Sequence, residues 1–412
     1  MPGIPHIRYL YVVNEVYRLG RISAAAEVVH LSQPAATQSL ARVEEALGIA
    51  LFERHPKGMV PTLAGTRFHP RLSRILNHFR QGDSMARKRA ARGTSGRRGG
   101  TRALKTFHRF CSPVQLRALL AIETNGSFSQ AAFELGVSQP GVHRAMRELA
   151  SLAGFDLFEQ TRGGVVLTSA AETFAHQVRL AISEFRQAVY EVNETLGQDV
   201  TTINVGSLPL SRATLLPIAI DALLGEIGAG VQVNCFDARY HTLLRDLRFG
   251  ALDFIIGALR DPLPANDVSQ EKLFTDQLAI VTAPGHPLVA RDMVTLEDTV
   301  HYPWIAPPRE TPSGTYLFDR LKLEDRPDTP VRIVSSSLVM MRALMAQGNY
   351  VSIASRRQIA GDLRAGTLAR LPIDLPGSGR AIGLTFRTGW VPTPIQKRLL
   401  DILRDVAKSP QS

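Results

Sequence analysis

The 412-residue chain carries a repeat of itself near its amino terminus. Ser32-Gln33-Pro34 recurs as Ser138-Gln139-Pro140, an offset of 106 residues. The same offset aligns Leu10 with Leu116, Gly20 with Gly126, Ala25-Ala26 with Ala131-Ala132 and Gly48 with Gly154. It also aligns Leu51-Phe52-Glu53 with Leu157-Phe158-Glu159, Thr62 with Thr168 and Ala64 with Ala170. No gap is needed from residue 10 to residue 65, so the segment is a duplicated module, and whatever one copy folds into, the other must fold into as well.

Each copy reads as short helices followed by a hairpin. In the first, Leu10, Val13, Val16 and Tyr17 share one helical face, and Gly20 ends that helix. Ser23 is read as the N-cap of a small helix from Ala24 to Val29. Ser32 caps the next helix, with Pro34 in its first turn, where a missing N–H costs little. That helix turns Thr37, Gln38 and Arg42 outward and Ala36, Leu40 and Val43 inward. In the second copy Ser138 takes the capping role, and His143, Arg144 and Arg147 point outward. Two small helices joined by a tight turn make a helix-turn-helix. The segments 51–62 and 157–168 read as two-stranded wings.

The net charge is +11, and its placement matters more than its size. Residues 84–109 hold nine basic side chains, among them Arg87, Arg97, Arg98, Arg102 and Arg109, and no acidic one. A solvated linker and a polyanion-contacting arm both account for such a run. Residues 110–199 are acidic on balance, which weakens any phosphate attraction there and makes the first copy the stronger electrostatic anchor. No apolar run is long enough to span a membrane, and no signal peptide is evident. Cys111 and Cys235 are too few for a disulfide framework and read as small buried residues. The chain is therefore expected in the cytoplasm. The scattered His residues show no metal-ligand spacing, and no nucleophile elbow is present. Catalytic residues, metal and cofactors are each expected to be none.

From Ser169 a long amphipathic helix begins, with Phe174, Val178, Ala181, Phe185, Ala188, Val192 and then Leu196 on one seam. Its counterpart in the first copy, Leu72 to Phe79, is shorter and runs into a Gly/Ser/Arg stretch over 93–100, so it is not expected to form the same seam. Beyond residue 200, short apolar runs alternate with helical patterns. Strands are predicted at Ile203–Val205, Val231–Cys235, Phe254–Ile256, Leu278–Val281, Trp304–Ile305, Arg332–Val334, Tyr350–Ile353 and Ala381–Phe386. That rhythm predicts an α/β fold with mostly parallel sheets.

The run Gly126-Ser127-Phe128-Ser129, Ala131-Ala132, Ser138-Gln139-Pro140, Gly154, Leu157-Phe158-Glu159 and Leu167-Thr168 resembles the winged helix-turn-helix signature of LysR-type transcriptional regulators. The resemblance covers residues 112–412 as a whole regulator, with residues 7–80 as an additional DNA-binding copy. Both copies depart from the family pattern. The wing Arg is kept as Arg54 but replaced by Gln160, and the Leu-Glu pair becomes Val43-Glu44 and Leu149-Ala150.

The resemblance implies a multidomain α/β architecture. Its parts are winged domains at 1–83 and 110–169, a basic flexible linker at 84–109, a dimerising linker helix at 170–199 and an effector domain at 200–412. The effector domain would be two-lobed and periplasmic-binding-protein-like, with lobe I at 200–283 and 376–412, lobe II at 284–375, and crossings near Ala283 and Leu375. The alternative to a dimerising helix is a helix that packs into the core of its own chain. The implied partners are double-stranded promoter DNA, a small-molecule effector and a second copy of the chain.

In the first module the candidate DNA contacts are Ser32, Gln33, Thr37, Gln38, Arg42, Arg54 and Lys57. In the second they are Ser138, Gln139, His143, Arg144, Arg147 and Arg162. Either module could instead serve only as a spacer. Ligands of α/β folds sit at strand ends beside helix N-termini, which favour anions. Ser211 is expected to open one such helix, and the effector candidates are Ser207, Leu208, Asp237, Ala238, Arg309, Thr311 and Ser313, with Arg309 as an anion clamp. The serines and Thr311 could equally be simple caps. Two other readings stand beside an effector-controlled regulator: a small-molecule binder with vestigial DNA-binding modules, and a non-specific basic nucleic-acid binder.

Overall fold

A computed structural model describes residues 3–92, 106–198, 200–323 and 330–408. The candidate basic residues Arg97, Arg98, Arg102 and Lys105, and the glycine run at 93–100, lie outside the described residues. The chain forms two compact units that divide after Val200.

The amino-terminal unit holds both copies of the repeat, and their elements coincide almost residue for residue at the 106 offset. The first copy runs α1 (Ile7–Leu19), α2 (Ile22–Val28), α3 (Gln33–Leu47), β1 (Phe52–His55), β2 (Gly58–Pro61) and α4 (Leu63–Arg92). The second runs α5 (Pro113–Asn125), α6 (Phe128–Leu135), α7 (Gln139–Ala153), β3 (Phe158–Thr161), β4 (Gly164–Leu167) and α8 (Ser169–Glu194). Ser32 and Ser138 cap α3 and α7 as predicted, accepting from the N–H groups of Ala35 and Gly141. Ser23 is not a cap: α2 starts at Ile22, and Ser23 lies inside its first turn.

The wings are fastened identically. The Met59 N–H donates to the Gly20 carbonyl, and the Val165 N–H to that of Gly126. Thr62 and Thr168 each donate a hydroxyl to a backbone carbonyl, Ala50 and Asp156, at 2.8 Å. A Cβ on Gly58 would stand 2.3 Å from the Gly20 oxygen, so the close approach of wing and helix requires glycine there.

The largest departure from expectation is α4. It is a single helix of 30 residues through Arg92, so residues 84–92 are helical rather than flexible linker. It packs along α8, and both copies share one hydrophobic core. Phe174, Val178, Ala181, Phe185, Ala188 and Val192 are all buried as the seam predicts, but within this chain, while Leu196 lies past the helix and is exposed. The register of apolar residues could not say which helix would cover that face. Cys111 is buried as expected, whereas Cys235 is exposed, contrary to expectation.

The carboxy-terminal unit has two lobes, each built on a five-stranded sheet. The first sheet has the order β6-β5-β7-β14-β8, from β5 (Thr201–Ser207), β6 (Val231–Phe236), β7 (Phe254–Ala258), β8 (Val268–Asp276) and β14 (Arg380–Arg387). The second has the order β11-β10-β12-β9-β13, from β9 (Leu278–Thr282), β10 (Trp304–Ala306), β11 (Val331–Val334), β12 (Val351–Ser355) and β13 (Ala369–Arg370). The helices are α9 (Pro209–Ala213), α10 (Leu215–Ile227), α11 (Tyr240–Arg248), α12 (Leu296–Thr299), α13 (Pro312–Thr315), α14 (Leu338–Met345), α15 (Ala360–Arg364) and α16 (Pro394–Lys408).

All eight predicted strands are present, joined by β8 and β13, which the sequence pattern does not reveal. The sheets are mixed rather than mostly parallel, because β14 runs antiparallel to β7 and β8, and β9 antiparallel to β12 and β13. Crossing strands that return through both lobes impose that reversal. The first crossing falls at Gln277, between β8 and β9, not near Ala283, so Leu278–Thr282 belongs to lobe II. The return crosses between Arg370 and Arg380, around the expected Leu375.

Candidate functional sites

The helices α3 and α7 each turn one face to solvent. Gln33, Gln38 and Arg42 on α3, and Gln139, His143, Arg144 and Arg147 on α7, are exposed. Thr37 is half-buried, its hydroxyl donating to the Gln33 carbonyl at 3.0 Å. The Ser32 and Ser138 hydroxyl oxygens accept backbone N–H groups, which leaves each hydroxyl hydrogen free to donate. Arg42 pairs with Glu45 and Arg144 with Glu148, both on exposed ground where such pairs are weak and easily exchanged for a phosphate. The His143 ring stacks on Phe128 with 4.0 Å between centroids, which fixes its direction. Arg54 and Lys57 are exposed on the first wing and Arg162 on the second.

Glu44 has a role that the sequence did not disclose. One of its carboxylate oxygens accepts the N–H groups of Leu51 at 2.7 Å and Phe52 at 3.3 Å, tying α3 to the start of the wing. Ala150 stands at the matching place in the second copy and offers no acceptor.

In the carboxy-terminal unit a cavity of about 660 Å³ opens between the lobes. Leu208, Asp237, Ala238, Thr311 and Ser313 line it, as expected. Ser207 does not: it is buried, and its hydroxyl donates to the Phe236 carbonyl at 3.3 Å. Arg309 does not line it either. Its guanidinium is held by Asp319 at 2.5 Å and lies over the Phe318 ring. Ser211 sits inside α9, which begins at Pro209, and its hydroxyl donates to the Leu208 and Ile256 carbonyls.

The cations of the cavity are Arg212, Arg239, Arg260 and Arg380. Arg212 is paired with Asp237. Arg380 bridges the lobes' elements, donating to Asp276 at 3.1 Å and to the Ser313 hydroxyl. Arg260 stacks over Tyr240, 4.4 Å from the ring centroid, and forms no ion pair with a carboxylate among the described residues. Burial depresses the pKa of Arg260, against the pull of Tyr240, and the Arg380 charge depresses it further. Burial likewise depresses Arg380, which Asp276 partly offsets. Ser335, Ser336 and Ser337 line the lobe II side ahead of α14, with the Ser337 hydroxyl accepting the Met340 N–H. Sequence reasoning does not reach these arginines, because residues 260 and 380 lie far apart in the chain, at the ends of β7 and β14, and only the sheet order brings them together.

Two family profiles match. The bacterial regulatory helix-turn-helix protein, lysR family, matches residues 7–66 and again residues 113–172. The LysR substrate binding domain matches residues 196–408, more than half of the chain. The chain belongs to the LysR family. It is a DNA-binding transcriptional regulator with an effector-binding domain.

Among curated relatives, the HTH-type transcriptional regulator GalR of Pseudomonas putida is 29% identical over 404 residues, 98% of both chains, so the likeness takes in the whole duplicated arrangement. The HTH-type transcriptional regulator PcaQ of Agrobacterium fabrum is 28% identical over 71% of this chain and 94% of its own. Full-length OxyR C199D from Pseudomonas aeruginosa shares the fold with a TM-score of 0.51 at 22% identity, covering 72% of this chain and 94% of its own. ArgP from Mycobacterium tuberculosis does so with a TM-score of 0.51 at 21% identity, covering 71% of this chain and 96% of its own. No described helix is long and apolar enough to cross a membrane.

Proposed function

We propose that this LysR regulator responds to a small organic anion bound between the lobes of its carboxy-terminal unit. The observation that carries the reading is Arg260, a partly buried guanidinium that lines the cavity between the lobes and forms no ion pair with a carboxylate among the described residues. Taking a cation out of water without an anion is costly, and a bound carboxylate or similar group would relieve that cost through a bidentate contact. Four arginines against Asp237 and Glu310 give the lining a positive balance. The ring of Tyr240 and the apolar Ile305, Met341 and Ile382 suit the body of an organic molecule. Ser313, Ser335 and Ser337 supply hydroxyls to orient it.

The partner of the amino-terminal unit is duplex DNA, read by the exposed faces of α3 and α7 with Arg54, Lys57 and Arg162 of the wings on the flanking phosphates. A DNA partner supports a cytoplasmic location, and the proposed role involves no catalytic step. Thermal unfolding with matched acid and amide pairs tests the effector class. Organic acids should raise the midpoint as binding to the folded state requires, and their amides should not. Equal shifts with the amides would remove the anion from the reading.

A further inference from the structure

Replace each residue by its counterpart 106 positions away and the contact between Arg71 and Glu184 becomes one between Gln177 and His78. Both exist: an Arg71 NH group donates to a Glu184 carboxylate oxygen at 2.9 Å, and the His78 Nδ1 meets the Gln177 amide oxygen at 2.8 Å. This reciprocity is the mark of an isologous, two-fold interface between like bodies. Here the like bodies are the two halves of one chain. The pairs Arg71 with Gln187, Gly82 with Phe174 and Arg89 with Ser169 set α4 and α8 antiparallel in the same register.

The symmetry of position is not a symmetry of chemistry. Arg71 is 2% exposed and is held by Glu184, Gln187 and Glu191, three residues on one face of α8. Its counterpart is the neutral Gln177, and the counterparts of its three partners are His78, Gln81 and Met85. Two first copies placed together would leave Arg71 buried without a carboxylate. Two second copies would bury Glu184 and Glu191 without a cation. Breaking one side of a buried charge pair is strongly destabilising, so the cluster admits only the unlike pairing.

A second, unrepeated network lies farther along α4. His108, just before α5, donates its Nδ1–H to the Asp83 carboxylate of α4 at 2.6 Å, and its Nε2 meets the Tyr11 hydroxyl of α1 at 2.9 Å. It ties the start of the second module to two helices of the first.

The outward positions of the reading helices differ as well. Thr37, Gln38, Ala41 and Arg42 on α3 correspond to His143, Arg144, Arg147 and Glu148 on α7, while Ser32-Gln33-Pro34 is repeated unchanged. At the last of these positions the sign of the charge is reversed.

We infer that the two winged modules of a single chain form one paired DNA-reading unit, and that the DNA element it recognises is asymmetric, with two unlike half-sites. This rests on the DNA-binding reading above. The shared Ser-Gln-Pro turn gives the half-sites a common portion, and the four differing side chains give each its own remainder.

The test uses the full-length chain in two arms. In the first, Arg89→Cys and Ser169→Cys are introduced with Cys235→Ser, and the pair is bridged by a short bismaleimide. A species migrating as one chain on a denaturing gel is expected, and a covalent dimer would overturn the one-chain unit. In the second, duplexes are enriched from a random pool. The expected motif has two unlike halves, with Arg42→Ala relaxing one half only and Arg147→Ala the other, each by roughly tenfold in affinity. An inverted repeat of identical halves overturns the inference while leaving DNA binding intact. No enriched sequence overturns the DNA-binding reading and the inference with it.

Discussion

Arg71 and Glu184 meet at 2.9 Å from opposite copies of a duplicated module, in a place where neither side chain touches water to any extent. Burial lowers the Arg71 pKa, but Glu191 and Glu184 outweigh that and raise it above the ordinary guanidinium value. The cation is therefore held, not merely tolerated, and it forces the helices that follow the two winged domains to pair with each other.

Arg71→Met should destabilise the amino-terminal unit by about 3–5 kcal/mol, since two buried carboxylates lose their counter-charge. Adding Glu184→Gln and Glu191→Gln should recover much of that loss. Chemical denaturation followed on the amino-terminal unit reads both effects, and a triple variant less stable than Arg71→Met would refute the account.

Asp83 makes a pH prediction. Burial raises its pKa, but hydrogen bonds from His108 and Arg87 outweigh it and hold the carboxyl below the usual carboxylate range. A depressed folded-state pKa contributes stability above the unfolded value, about 3.9, which is lost as pH falls through the folded value. Asp83→Asn should therefore be less stable than the parent chain at neutral pH, with the gap narrowing below about pH 4. A gap that widens on acidification has the wrong sign.

Arg260→Ala should abolish the thermal stabilisation produced by an organic anion, and Arg309→Ala, whose side chain faces Asp319 instead of the cavity, should leave it unchanged. Calorimetric titration of both variants with the acid found in the thermal screen distinguishes the two arginines. The opposite ranking would move the anion site to Arg309.

Glu44→Ala should loosen the first wing by about 1.5–3 kcal/mol, the worth of hydrogen bonds to a charged group. Amide exchange at Leu51 and Phe52 should accelerate accordingly. In the second module Ala150→Glu should slow exchange at Leu157 and Phe158. Unchanged rates in both variants would leave the carboxylate without a structural role.

Deleting residues 1–105 should uncover Phe174, Val178, Phe185 and Val192 of α8 and raise the binding of a hydrophobic dye relative to the full chain. A truncated chain that binds no more dye than the full chain would show that α4 is not what covers the seam.

Local pattern carries much of this molecule. The 106-residue offset, the capping serines, the outward faces of α3 and α7, the apolar seam of α8 and eight of the strands are all legible in it, because a helix face, a cap or a strand is written in neighbouring residues. The effector residues are legible only in part for the same reason. Leu208, Asp237, Ala238, Thr311 and Ser313 lie where strand ends meet helix starts, while Arg260 and Arg380 reach the cavity only through the order of strands in the sheet.

By itself the sequence determined that one module is used twice, that α8 must bury an apolar face, and that a two-lobed α/β unit follows. Tertiary structure decided what covers that face. Hydrophobic burial is non-directional and would accept a helix from any chain. The choice of α4 rests on where Arg71, Glu184 and Glu191 come to lie, across more than a hundred residues of sequence, with their charges matched in one pairing and stranded in the others.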